Sequence, residues 1–226
     1  MSRDPLAALD GEGRERLQTV LELLAAERAS VSSVVDERAW EVHVADSLTG
    51  LEVPELRIAA RIADVGAGAG FPGLVLAVAL PEAEVDLVES VGRKCEFMRR
   101  AAEAGGIGNA RVLNTRSEDL AGAEGREAYD AVSARAVGRL ATLAELASPL
   151  LKPNGVLVAW KGKRDPAEEE QLQRASAALA MAPEAILEVG DRAGSRHRHL
   201  HVIRKVGDTP SNLPRKPGIA KKRPKG

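Results

Sequence analysis

The sequence predicts an α/β fold: a mostly parallel, seven-stranded sheet with helices on both faces and an antiparallel terminal hairpin, preceded by N-terminal helices. Three observations predict it. From Arg61 onward strand-like and helix-like segments alternate, the pattern of a parallel sheet covered on both sides. The first strand enters its helix through residues 64–73, D-V-G-A-G-A-G-F-P-G, whose glycines let backbone approach a ligand at the carboxyl edge of the sheet. The last two strands are joined only by residues 190–198, too few for a crossover helix, so the final strand runs antiparallel at or near an edge.

Taken in order, residues 12–28 read as an amphipathic helix with Leu17, Val20, Leu21 and Leu24 on one face. Residues 30–35 form a loop, and Asp36 is placed to cap a second helix through Trp40, Val44 and Leu48. Strands follow near 62–65, 85–89, 111–114, 130–133, 156–160, 186–189 and 199–205. Helices are expected at 74–80, 93–104, 140–151 and 167–180, with Pro72 in the first turn of the first of them. Beyond Val206, four prolines interleaved with lysines and arginines describe an extended, flexible tail. The chain therefore divides into a helical appendage (1–56), a ligand-binding domain (57–206) and a basic tail (207–226).

A chain of 226 residues with 44% hydrophobic content buries one substantial core. Aromatic residues make up only 2%, which argues against a module that reads RNA by stacking bases on an aromatic platform. Cys95 is the single cysteine, so neither a disulfide nor a cysteine-built zinc site forms within the chain, and no metal is expected. No signal-peptide core and no membrane-length apolar run occur, which predicts a soluble, cytoplasmic protein acting away from membranes. The net charge of −1 hides an asymmetry: residues 192–226 hold 11 Lys and Arg against Asp208 alone, +10, leaving −11 on the rest. Such polarity calls for an acidic partner at the basic end.

Gly68 to Gly73 matches G-x-G-x-x-G, and Glu89 lies 21 residues after Gly68, near the spacing of a ribose-binding acid in dinucleotide sites. Other features point away from a dinucleotide. Asp64 precedes the first glycine by two residues, a hairpin-ended sheet differs from two mononucleotide-binding halves, and no Tyr-x-x-x-Lys accompanies the loop. Glu89, closing V-D-L-V-E, also suits the acid that favours a helix N-terminus.

With these features the chain resembles the class I S-adenosylmethionine-dependent methyltransferases, Rossmann-like enzymes in which the acid after the second strand binds the ribose hydroxyls. From Trp40 to the end it resembles more narrowly the small-subunit ribosomal RNA methyltransferase G family, also called glucose-inhibited division protein B. The matching pieces are W-E-V-H-V-A-D-S (40–47), A-D-V-G-A-G-A-G-F-P-G (63–73), L-V-E-S-V-G-R-K (87–94), R-S-E (116–118), S-A-R-A-V (133–137), W-K-G (160–162) and the terminal P-R-K-P-G-I-A-K-K-R-P. The family's Asn-Leu-Thr stretch before the His-containing helix is replaced by S-V-S-S-V at 30–34. The resemblance implies methylation of N7 of one guanosine in 16S rRNA, within the 30S subunit or an assembly intermediate; the alternatives are a class I methyltransferase of another RNA site or a small molecule, or a non-catalytic ribosome-assembly factor, and a monomer is expected. It also implies cofactor contacts from Gly66, Phe71, Glu89, Ser117, Glu118 and Arg135. Ser117 equally suits a helix N-cap.

Methyl transfer to guanine N7 is an in-line displacement onto a lone pair that carries no proton, so positioning supplies the rate and no general base is required. Consistently, the fourth strand ends Ser133-Ala-Arg135-Ala, without the N-P-P-Y that holds an exocyclic amine, and Cys95 lies away from that corner. Arg135 and Lys161 end neighbouring strands; Arg135 is placed to touch cofactor and Lys161 to hold RNA or guanine O6, though either also suits an internal ion pair. His43 is a candidate guanine or phosphate contact or else a packed helix residue, and Arg192, Arg196, His197, Arg198 and His199 form a candidate phosphate-binding cluster. In A-form RNA the N7 edge faces a deep, narrow groove, so the target base must be splayed out or lie in a loop.

Overall fold

In a computed structural model that describes residues 5–27, 31–135, 138–189 and 197–226, a short 3-10 turn (Pro5–Ala8) leads into α1, Gly11–Ala26. Asp10 caps α1, its side chain accepting the Gly13 amide hydrogen at 2.7 Å. Leu17, Val20, Leu21 and Leu24 are all buried on one face, as their spacing predicts. Asp36 does not cap the second helix. It accepts from the Arg38 amide at 3.0 Å in a local turn, and helical structure starts at Trp40–Ala45, a π-helical stretch continued by α2, Asp46–Leu48, and a 3-10 turn, Thr49–Glu52. A one-turn α3, Pro54–Arg57, leads to the sheet.

The alternating region contains β1 (Arg61–Val65), α4 (Gly73–Ala79), β2 (Glu84–Glu89), α5 (Gly92–Ala104), β3 (Ala110–Asn114), α6 (Ser117–Ala121) and β4 (Tyr129–Arg135). It continues through α7 (Leu140–Ala147), β5 (Leu151–Lys161), α8 (Pro166–Leu179), β6 (Met181–Glu188) and β7 (His199–Lys205), with α9 (Ile219–Lys222) near the end. The sheet order is β3-β2-β1-β4-β5-β7-β6. Strands β1 to β5 pair in parallel, with Ile62 opposite both Val85 and Ala131, and β7 runs antiparallel to β5 and β6. The last two strands thus pair antiparallel, as expected. Strand order reverses beside β1, which opens a crevice at the carboxyl ends of β1 and β4.

Three elements of the alternating region differ from their sequence reading, one of them β5, which starts five residues before the expected Val156. The helix expected over 140–151 ends at Ala147, because Pro149 has no amide hydrogen to continue it, and Leu151 already begins β5. The strand expected at 186–189 starts at Met181; Pro183 and Glu184 are tolerated because β6 pairs on one side only.

Each face of the sheet has its own buried cluster. Leu17, Val20 and Leu24 of α1 join Leu74, Leu76 and Phe97 on one face, so the N-terminal helix shares a core with α4 and α5. Leu140, Leu143, Leu172 and Leu179 fill the other. The residues after Val206, expected to extend away, instead pack along this second face. Leu213 is buried, its carbonyl accepts from Arg126 at 3.2 Å, and Arg215 pairs with Glu145 of α7 at 2.5 Å. Among the described residues no helix is long and apolar enough to cross a membrane.

Candidate functional site

The glycine loop is fixed from beneath by Asp64, the fully buried acid of β1. Its Oδ2 accepts from the Gly73 amide at 2.9 Å and its Oδ1 from the Ser133 hydroxyl of β4 at 2.9 Å. Gly73 cannot be replaced without displacement, since a Cβ there would lie 2.1 Å from Leu87 Cδ2 and 2.8 Å from Asp64 Oδ2. Gly70 has φ +94°, and its would-be Cβ meets Leu74 Cδ1 at 2.5 Å, so backbone conformation and space both require glycine.

Burial pushes the Asp64 carboxyl up to about 6, against the hydrogen bonds from Ser133 and Gly73. The folded protein therefore holds this proton more tightly than the unfolded chain does. The resulting stability is fully present below the unfolded value near 3.8 and is lost as pH rises through about 6. Asp64→Asn removes the titration, so wild-type stability relative to the variant should fall by roughly 2 to 3 kcal/mol between pH 4 and pH 7 in urea unfolding. A difference independent of pH would contradict it.

Glu89 ends β2 beside this loop. Its Oε2 accepts from the Gly68 amide at 3.1 Å and its Oε1 from the Val91 amide at 2.9 Å, with Lys94 Nζ at 4.0 Å from Oε2. A cleft of about 380 Å³ opens here, lined by Gly66, Glu89, Ser117 and Glu118 together with Gly218, Ala220 and Lys221. Four of the expected cofactor residues thus share one cavity. Its volume lies within the roughly 300–1,000 Å³ of small-molecule sites. The lining also suits a nucleoside, since its two carboxylates, Glu89 and Glu118, can accept hydrogen bonds from hydroxyl and amino groups. Ser117 is the first residue of α6 and not its cap, which is Arg116; the Ser117 hydroxyl donates to Glu118 Oε2 at 3.2 Å.

Phe71 and Arg135 do not line this cleft; they meet His43 in a second cluster. The His43 and Phe71 rings stack with centroids 4.5 Å apart and 14° between planes, and Arg135 Cζ lies 6.0 Å from the Phe71 centroid. Arg135 Nη1 donates to Asp46 Oδ2 and to the Val42 carbonyl, both at 2.9 Å. His43 Nε2 lies 2.9 Å from the Val34 carbonyl, which can only accept, so this nitrogen carries the proton and Nδ1 is left to accept from Arg135 Nη2 at 3.4 Å. Burial, aided by the Arg135 charge, lowers the His43 pKa and keeps the ring neutral. His43 is therefore a packed residue holding the end of the glycine loop.

Arg198 reaches the same cluster, with Nε 3.3 Å from Asp46 Oδ1; the contact is ionic, because that nitrogen has no hydrogen-bond partner. Arg192 and Arg196 lie outside the described residues. Lys161 takes the internal ion pair that its position allowed. Its ammonium donates to Glu168 Oε1 at 2.7 Å and to the Gly138 carbonyl at 3.0 Å, and the same Glu168 oxygen accepts from the Leu140 amide at 2.6 Å. Sequence reasoning missed Asp46, although it stands inside the W-E-V-H-V-A-D-S piece. It also missed the cleft-lining Gly218, Ala220 and Lys221, although they stand inside the terminal P-R-K-P-G-I-A-K-K-R-P piece.

Known proteins place this geometry. The fold is similar to that of a SAM-dependent O-methyltransferase from Thermotoga maritima, with a TM-score of 0.59 at 14% identity over 84% of this chain and 72% of the other. The sequence is 42% identical over 186 residues to the ribosomal RNA small subunit methyltransferase G of Rubrobacter xylanophilus, covering 80% of this chain and 71% of that one. It is 33% identical over 223 residues to the protein of the same name in Staphylococcus carnosus, covering 96% and 92%. Residues 15–200 match the sequence profile of GidB, rRNA small subunit methyltransferase G, and the chain belongs to that family.

Proposed function

We propose that this protein transfers a methyl group from S-adenosylmethionine to N7 of one guanosine of 16S rRNA, in the cytoplasm and on a small subunit or an assembly intermediate. The observation that carries the reading is the cleft shared by Gly66, Glu89, Ser117 and Glu118 in a chain of this family. When bound, S-adenosylmethionine supplies a sulfonium methyl; the N7 lone pair forms the new N–C bond while the C–S pair returns to sulfur. No proton leaves N7, so no residue of the chain has to accept one.

What the chain contributes is position. Glu89 orients the ribose and at the same time holds the Gly68 amide, so loop shape and cofactor pose are set by one carboxylate. Ser117 and Glu118 hold the adenine side. Arg135 and His43 act on the glycine loop through Phe71 and fix its far end, where the base arrives. Arg198, the more exposed of the two arginines on Asp46, meets phosphate from the basic segment. Lys161, tied to Glu168, orders the 138–140 turn beside the site.

The test is methyl-labelled S-adenosylmethionine given to the purified protein with 30S subunits, with naked 16S rRNA, or with no RNA, followed by nucleoside analysis. The expected result is RNA-dependent label in 7-methylguanosine, at most one per subunit. Label in another nucleoside, or none with either RNA, overturns the reading.

A further inference from the structure

We infer that the carboxyl-terminal segment is a latched strap that forms the adenine-side wall of the cofactor cleft, so that cofactor binding and strap closure are one event. The inference rests on the reading of that cleft as the S-adenosylmethionine site. Gly218, Ala220 and Lys221 line the same cavity as Glu89, although more than 100 residues separate them from it in sequence. The strap meets the cofactor residues directly, its Gly218 amide donating to Glu118 Oε1 at 2.8 Å.

The latch is specific. Arg215 grips Glu145 with two hydrogen bonds of 2.5 Å, and the Glu145 side chain is only 2% exposed. The same guanidinium donates to the Arg223 carbonyl at 2.8 Å, so one side chain ties both ends of the segment to α7. Between them the Thr142 hydroxyl donates to the Ala220 carbonyl at 3.4 Å. Helix α9 has four residues, too few to be stable alone, and its order depends on these contacts.

The chemistry fits an adenine nucleoside. A carboxylate accepts about four hydrogen bonds; Glu118 uses one oxygen for the strap amide and receives the Ser117 hydroxyl on the other, which leaves room for an exocyclic amino group. Ala220 and Leu146 supply apolar surface for a ring face in the same cavity. A ligand filling the cleft therefore binds the closed strap and disfavours its opening.

The experiment uses the full chain and S-adenosylhomocysteine. Trypsin cleavage after Lys221 and Lys222 should slow at least fivefold when wild-type protein is saturated with S-adenosylhomocysteine. Arg215→Ala, which frees both ends of the strap, should raise the Kd for S-adenosylhomocysteine at least tenfold by calorimetry. Should that variant not fold, the wild-type protection experiment decides alone. Equal cleavage rates with and without bound ligand overturn the strap and leave the cofactor reading standing. So does an Arg215→Ala variant that binds ligand normally and loses only RNA methylation, since the segment would then belong to the RNA interface. Absence of S-adenosylhomocysteine binding by wild-type protein overturns the cofactor reading itself.

Discussion

Asp46→Ala is expected to destabilise the protein by about 3 to 5 kcal/mol, the usual cost of removing one partner from a buried ion pair. Asp46 is 4% exposed and stands between two guanidiniums, Arg135 at 2.9 Å and Arg198 at 3.3 Å. Burial lowers the Arg135 pKa, and Asp46 is the main group opposing that. Without Asp46 the two like charges face each other, and Arg135 keeps only the Val42 carbonyl and a neutral imidazole. The Arg198 side chain is 23% exposed, so water takes up part of its charge and the lower end of the range is the better expectation. Asp36→Ala is the control, because its pair with Arg38 lies at the surface, where water screens it, and the urea midpoint should move far less than in Asp46→Ala. Both values come from urea midpoints. A loss below about 1 kcal/mol for Asp46→Ala would mean that solvent screens the cluster.

That cluster also marks the limit of what the sequence discloses. The glycine loop, the parallel strands and the hairpin are legible because each is a local pattern: glycines after an apolar strand, short apolar runs spaced by helices, a connection too short for a crossover. Glu89 is legible because it follows such a run at a fixed distance from Gly68. The partner of Arg135 is not, since Asp46 lies 89 residues away and only the tertiary fold decides between a cofactor contact and an ion pair. Lys161 posed the same choice, and the Glu168 that pairs with it arrives on the next helix. The carboxyl-terminal segment reads as a tail because its composition is polar and proline-rich; what folds it back is Glu145, a buried acid inside an otherwise apolar helix. The available signal was an acid within the apolar run Leu140 to Ala147, since an acid inside a core is seldom left unpaired. Pro149 was a plainer one, and it ends the helix that the apolar run alone would extend to residue 151.

The largest effect on ligand binding is expected at Glu89. In Glu89→Ala the Gly68 and Val91 amides lose a charged acceptor, and on the proposed reading the ribose loses its anchor. Hydrogen bonds to a charged group contribute about 1.5 to 3 kcal/mol each. Two lost ribose contacts, partly replaced by water, should therefore raise the Kd for S-adenosylhomocysteine on the order of 100-fold or more. Glu89→Gln separates the two duties of the carboxylate. Its amide oxygen accepts one of the two backbone hydrogens, while its NH2 group meets the other as a donor facing a donor, so loop shape is partly kept and the ribose contact is weakened. About a tenfold loss of affinity is expected for the glutamine variant, with a smaller drop in urea midpoint than in Glu89→Ala. Calorimetry on all three proteins reads both variants against wild type. Binding by Glu89→Ala within threefold of wild type would show that the acid serves the loop alone and that the ribose is held by another group.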